Sequence, residues 1–147
     1  MSAAISAPIP LFQEANEYWQ NLIRECRRQT EAMNGILAQR GVPECERIIW
    51  GSGPSVRIAK SECPSTVLQF DMQFFPWGPM ITGTATGDQS CDLKLALEEF
   101  DFPIAMDLDG AIVAIIEEGR SLSPREVALL LTQKFRRCFP GISLPIA

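Results

Sequence analysis

Apolar residues recur at helical spacing from Leu11 to about Arg40. Phe12, Trp19, Ile23, Cys26, Met33 and Leu37 fall three, four or seven positions apart, and Ala15 and Leu22 broaden the stripe. Glu14 and Glu17 suit the positive end of a helix, and Gly41 with Pro43 supplies the stop. The pattern predicts a helix about 43 Å long at 1.5 Å per residue. A domain of this size is about 38 Å across, so the helix should run its full width. Residues 1–10, with small side chains and two prolines, read as a flexible leader.

The period then shortens to two. Leu68, Phe70, Met72 and Phe74 alternate with Gln69, Asp71 and Gln73, so Thr66–Phe75 reads as a strand with one apolar and one polar face. Ile48–Trp50 and Val56–Lys60 flank Gly51-Ser52-Gly53-Pro54, which has the composition of a hairpin connection. Pro76, Gly78 and Pro79 turn the chain into Met80–Thr86, where Thr82, Thr84 and Thr86 share a side. Residues 87–101 are undecided, because Asp92–Glu98 suits either a strand or a short helix. Phe102–Asp107 and Ala111–Glu117 flank an Asp109-Gly110 turn signal. The unbroken apolar run Ile112–Ile116 fits a strand covered on both faces.

Helical spacing returns at the end of the chain. Ser123 is placed as N-cap, Pro124 as first helical residue and Glu126 as the partner that closes a capping box. Leu122 and Val127 are placed for a hydrophobic staple. Val127, Leu131, Phe135 and Cys138 then line one face, and the helix should end near Phe139-Pro140-Gly141. Together these elements predict one α+β domain over residues 11–147: a long N-terminal helix, an antiparallel meander of about five or six strands, and a capped C-terminal helix. Each helix must bury an apolar stripe, so both are expected on the same face of the sheet.

Composition narrows the function. Hydrophobic residues at 46% and charged residues at 21% belong to a folded chain rather than a disordered one. No run approaches the roughly 20 apolar residues needed to cross a bilayer. The start, MSAAISAPIPLF, lacks the basic region and long apolar stretch of a secretory signal. The cytoplasm is the expected compartment, with no membrane partner. A net charge of −5 opposes binding to a phosphate backbone unless a basic face is concentrated somewhere. Arg24, Arg27 and Arg28 are interleaved with Glu25 and Glu31, and Lys134, Arg136 and Arg137 sit in the last turns of a predicted helix. Both clusters read as solvated helix faces or helix ends, so no nucleic-acid partner is expected.

Candidate chemistry is sparse. With no histidine, Ser-His-Asp and Cys-His arrangements and His-ligated metals are all removed. Five cysteines, odd in number and without a C-x-x-C pair, read as reduced and mostly structural thiols. Cys63 and Cys91 are the loop candidates for a nucleophile, which would need activation by a cation or a helix N-terminus. Glu98/Glu99 and Glu117/Glu118 are sequence neighbours, which point apart on a strand. The glycines of Gly51-Ser52-Gly53 and Gly83–Gly87 lack the spacing and lysine of a phosphate loop.

The segment Ile104-Ala105-Met106-Asp107-Leu108-Asp109-Gly110-Ala111-Ile112 resembles the first motif of haloacid-dehalogenase-type phosphotransferases. That resemblance covers under ten residues and implies Asp107 as nucleophile and Asp109 as acid/base beside magnesium. The family continues into a large α/β domain, whereas here a β run and a single helix follow. A hairpin turn is therefore the expected role. An EF-hand register fails as well, because it places Ala105 first and Ile116 twelfth among the ligands. No metal and no cofactor is expected.

Two surfaces stand as candidates. Phe74, Phe75 and Trp77, with Pro76, Gly78 and Pro79, gather aromatic groups at a hairpin tip. Arg57, Gln69, Asp71, Gln73 and the threonines form a polar sheet face that could line a concavity. The leading expectation is a non-enzymatic, self-associating interaction module that uses the long helix or the Phe74–Trp77 tip, with a second copy or another protein as partner. A carrier of a small apolar ligand between sheet and long helix is the alternative, and an enzyme using carboxylate or cysteine chemistry stands third.

Overall fold

The first helical stripe becomes α1, Phe12–Gln39, in the computed structural model of the protein, which describes residues 12–88, 96–139, 141, 142 and 144. Ala15, Tyr18, Trp19, Leu22, Cys26, Met33 and Leu37 are the apolar residues that α1 buries. Phe12 departs from the expected stripe and faces outward, 68% exposed. The leader expected over residues 1–10 lies outside the described residues.

Seven strands follow, one or two more than the spacing predicts: β1 (Ile49–Ser52), β2 (Val56–Lys60), β3 (Ser65–Phe75), β4 (Gly78–Asp88), β5 (Ala96–Met106), β6 (Ile112–Ile115) and β7 (Ser121–Leu122). They form one antiparallel meander in the order β1 to β7. The added strand is β7, whose two residues pair β6 and are too few to show an alternation. The undecided stretch resolves as strand where it is described, with Gly87 and Asp88 ending β4 and residues 96–101 opening β5.

Register explains which side chains meet the helices. Ile58 stands opposite Leu68, Val56 opposite Phe70, Leu68 opposite Ala85, and Ile81 opposite both Met72 and Phe102. These residues and those of α1 and α2 (Pro124–Thr132) belong to one core, so both helices cover one sheet face. Val113, on the outer face of β6, is buried outside that core, in keeping with the unbroken apolar run. Gly83 on β4 lets the sheet bend tightly here. A Cβ on it would lie 2.5 Å from the Phe100 ring and 2.6 Å from Cβ of Phe70. Only glycine admits that approach, and Phe100 then stacks on Phe102 at 5.0 Å.

Helix α1 touches both ends of the meander. The Tyr18 hydroxyl donates to the Leu122 carbonyl on β7 at 2.9 Å, and the Asn34 side chain exchanges two hydrogen bonds with Ile48 just before β1. Those anchors are about 24 Å apart along the helix axis, whereas seven flat strands would span about 29 Å. The sheet closes the difference by curling over α1 as a half-barrel. Helix α2 carries the predicted grammar: Ser123 Oγ accepts from the Glu126 amide at 3.2 Å, and Glu126 Oε1 accepts from the Ser123 amide at 2.9 Å. Regular α-helix stops at Thr132, and the predicted face runs on through 3-10 turns over Gln133–Cys138.

Candidate functional site

Two of the meander's hairpins, β3–β4 and β5–β6, carry the candidate residues, and the phosphotransferase-like segment is the second of them. Asp107 closes its turn internally. Its Oδ1 accepts from the amides of Asp109 and Ala111, both at 2.9 Å. Its amide donates to the Ala111 carbonyl, and its carbonyl accepts from Gly110. Gly110 takes a φ of +84°, which the turn requires and a Cβ would strain. Asp109 and Leu108 point into solvent. A carboxylate held by two amides of its own turn closes that turn. Among the described residues no three or more Cys, Asp or Glu side chains converge as a metal-holding group.

The two buried thiols are held in the protonated form, whereas Cys45 is free and exposed. Burial pushes Cys26 and Cys138 upward, so both stay protonated at neutral pH, and Cys138 is 3.1 Å from the Thr66 hydroxyl. Cys63 is disulfide-bonded, which corrects its candidacy as a nucleophile and the reading of wholly reduced cysteines. Cys91 lies outside the described residues. Sequence reasoning passed over Lys60, which is buried against the core. Its ammonium donates to the carbonyls of Glu62 and Pro64 at 2.6 and 3.0 Å and lies 5.3 Å from the centre of the Phe139 ring. Two carbonyls and a ring face satisfy the charge, so Lys60 fastens the end of β2.

The first hairpin is different. Phe75 pairs Gly78, so Pro76 and Trp77 form a two-residue tip. Phe74 is 47% and Trp77 63% exposed, while Phe75 is half-buried. The rings pair off on opposite faces of the sheet. Phe75 stacks parallel on Trp77 at 4.8 Å, and Phe74 stacks on Phe12 of α1 at 4.7 Å. The sequence grouped Phe74, Phe75 and Trp77 by their position; the fold adds Phe12, which its helical spacing had assigned to the core.

The polar sheet face carries a depression of about 420 Å³ lined by Ser55, Gln69, Asp71, Thr82, Thr84, Glu99 and Asp101. Thr82 donates to Asp71 at 3.0 Å across β3 and β4. Arg57 and Gln73 lie outside its lining. Glu99 and Asp101 come from the stretch whose conformation spacing left open. A larger groove of about 560 Å³ runs on the other side of β5, with Phe100, Phe102, Ile116, Leu130 and Leu131 as floor and Glu98, Glu117 and Lys134 at the rim. Lys134 reaches Glu98 at 2.6 Å.

No family model, curated protein or solved structure shows significant similarity to the chain. Two arginines of the α1 cluster are locally neutralised, Arg27 by Glu31 and Arg28 by Glu25, while Arg24 donates to the uncharged Asn21. No helix among the described residues is long and apolar enough to cross a membrane.

Proposed function

We propose that this protein is a non-enzymatic interaction module that self-associates through its aromatic hairpin tip. The carrying observation is the pair of ring stacks, Phe12 on Phe74 and Phe75 on Trp77, with Phe12 and Trp77 largely and Phe74 about half exposed at one end of the sheet. Exposed aromatics gathered in one place mark contact surfaces, and Trp and Phe bury large area at small entropic cost. Light scattering across a concentration series tests it. A dimer or larger species that reverts to monomer in Phe74→Ser/Trp77→Ser supports the reading. A wild-type monomer at every concentration, with no partner retained by the tip, overturns it.

The carrier alternative finds less support beneath α1. Leu22, Cys26, Leu37, Ile58, Leu68 and Phe70 fill the space between helix and sheet, and Trp19 meets Phe70 edge-on at 5.7 Å. The cytoplasm is the compartment proposed from the sequence, and the disulfide at Cys63 weighs against it, because such bonds persist mainly in oxidising surroundings. Thiol titration of the denatured, unreduced protein decides between five free thiols and fewer.

A further inference from the structure

Strand β5 is paired unequally on its two edges. Residues 96–103 all pair β4, but only Ile104–Met106 pair β6. The chain leaves β6 after Ile115 and bends through Glu117–Gly119, where Glu118 and Gly119 take positive φ. Among the described residues, the first eight positions of β5 therefore have no strand on the β6 side. Alternate residues along such an edge direct both N–H and C=O outward, a template for another strand. The edge borders the groove floored by Phe100, Phe102, Leu130 and Leu131.

We infer that this edge of β5 is a docking site for an extended peptide segment whose side chains alternate between apolar residues and Lys or Arg, added to the sheet as a further strand. The alternation follows from the pleat. Phe100 and Phe102 point to the helix side, where they meet Leu130 and Leu131, so every second side chain of the incoming segment enters an apolar groove. The intervening side chains fall on the outer face beside Glu99 and Asp101, which line the polar depression with Asp71 and form no ion pair among the described residues. Glu117 adds negative charge across the groove, and its one cation, Lys134, is already paired with Glu98. Charge of one sign around a hydrogen-bonding edge selects a partner of the other sign. A second copy is the wrong occupant. Two β5 edges paired antiparallel about Phe100 would set Glu99 against Asp101 twice on the outer face, and like charges directly opposite destabilise a ladder.

The test uses the full chain and three blocked octapeptides: alternating Val-Lys, alternating Val-Glu, and Val-Lys N-methylated along one edge. Anisotropy gives affinity, and amide hydrogen exchange gives location. The Val-Lys peptide should newly protect every second amide of residues 97–102, those whose N–H points away from β4, and each control should bind at least about tenfold more weakly. Glu99→Lys/Asp101→Lys, checked for unchanged circular dichroism, should lose a similar factor, and Leu130→Lys should block the groove from the other wall. Phe74→Ser/Trp77→Ser should bind the peptide as wild type does, which separates this site from the tip. Equal binding of the N-methylated peptide, equal binding of the Val-Glu peptide, or protection confined to the tip overturns the proposal. So does concentration-dependent protection of residues 97–102 in the protein alone, which would make a second copy the occupant.

Discussion

The two hairpin tips are built from the same sheet and spend their side chains in opposite ways. At 107–111 the polar side chain turns inward, and Asp107 gives one oxygen to two amides of its own loop. At 74–78 apolar side chains turn outward, and four rings stack in pairs with much of their surface in solvent. A turn that satisfies its own hydrogen bonds needs no partner, however suggestive its sequence. A tip that leaves aromatic surface wet would gain from covering it, about 1.5–3 kcal/mol for a ring that becomes fully buried. Substitutions should therefore change stability at one tip and association at the other.

The largest expected effect is at the aromatic tip. Phe74→Ser and Trp77→Ser should each weaken self-association at least about tenfold, with the double variant monomeric throughout a dilution series. Thermal stability should scarcely move, because both rings are already exposed in the folded chain. A drop in melting temperature without a change in oligomeric mass would reverse the assignment and make the tip a piece of core.

Next comes the carboxylate at the other tip. Asp107→Ala removes an acceptor from two amides and should cost about 2 kcal/mol in urea unfolding. Asp107→Asn keeps an acceptor at the same place and should recover most of that loss. Gly110→Ala follows at about 1 kcal/mol, and its cost isolates backbone strain, since the added Cβ meets nothing within 4 Å at a φ of +84°. Equal stability of the alanine variant would show that the turn relaxes to another conformation.

How far this contrast was legible in the sequence depends on the range of the forces involved. Both helices, the Thr66–Phe75 strand, the Ser123 cap and the Asp-Gly turn are set by residues within a few positions of one another, and spacing revealed them. Phe12 was misassigned because its position on the helical stripe says nothing of where the sheet ends; the core stops at Ala15, one turn further in. The open edge of β5 was invisible for a similar reason. It exists because β6 is short and the chain bends away at Glu118, which is a matter of register between distant strands. Glu99 and Asp101 share one outer face beside Thr84 and Thr82 only once that register is known.

The smallest effect concerns the capping box of α2, a third place where a side chain closes hydrogen bonds within its own turn. The Ser123 backbone N–H, and after it the Ser123 hydroxyl, hold the Glu126 carboxyl below the usual carboxylate range. A group whose pKa is depressed on folding stabilises the fold above its unfolded value, and that contribution fades as pH falls through the folded one. Protection of the Ser123 amide should therefore be flat at neutral pH and decline as the solution is acidified below about pH 4. Glu126→Gln should remove the decline while leaving most of the protection, because the amide oxygen still accepts. Should the glutamine variant lose Ser123 protection at neutral pH as well, charge rather than acceptor geometry holds the cap, and the parallel with Asp107 fails at the point where Asp107→Asn is expected to succeed.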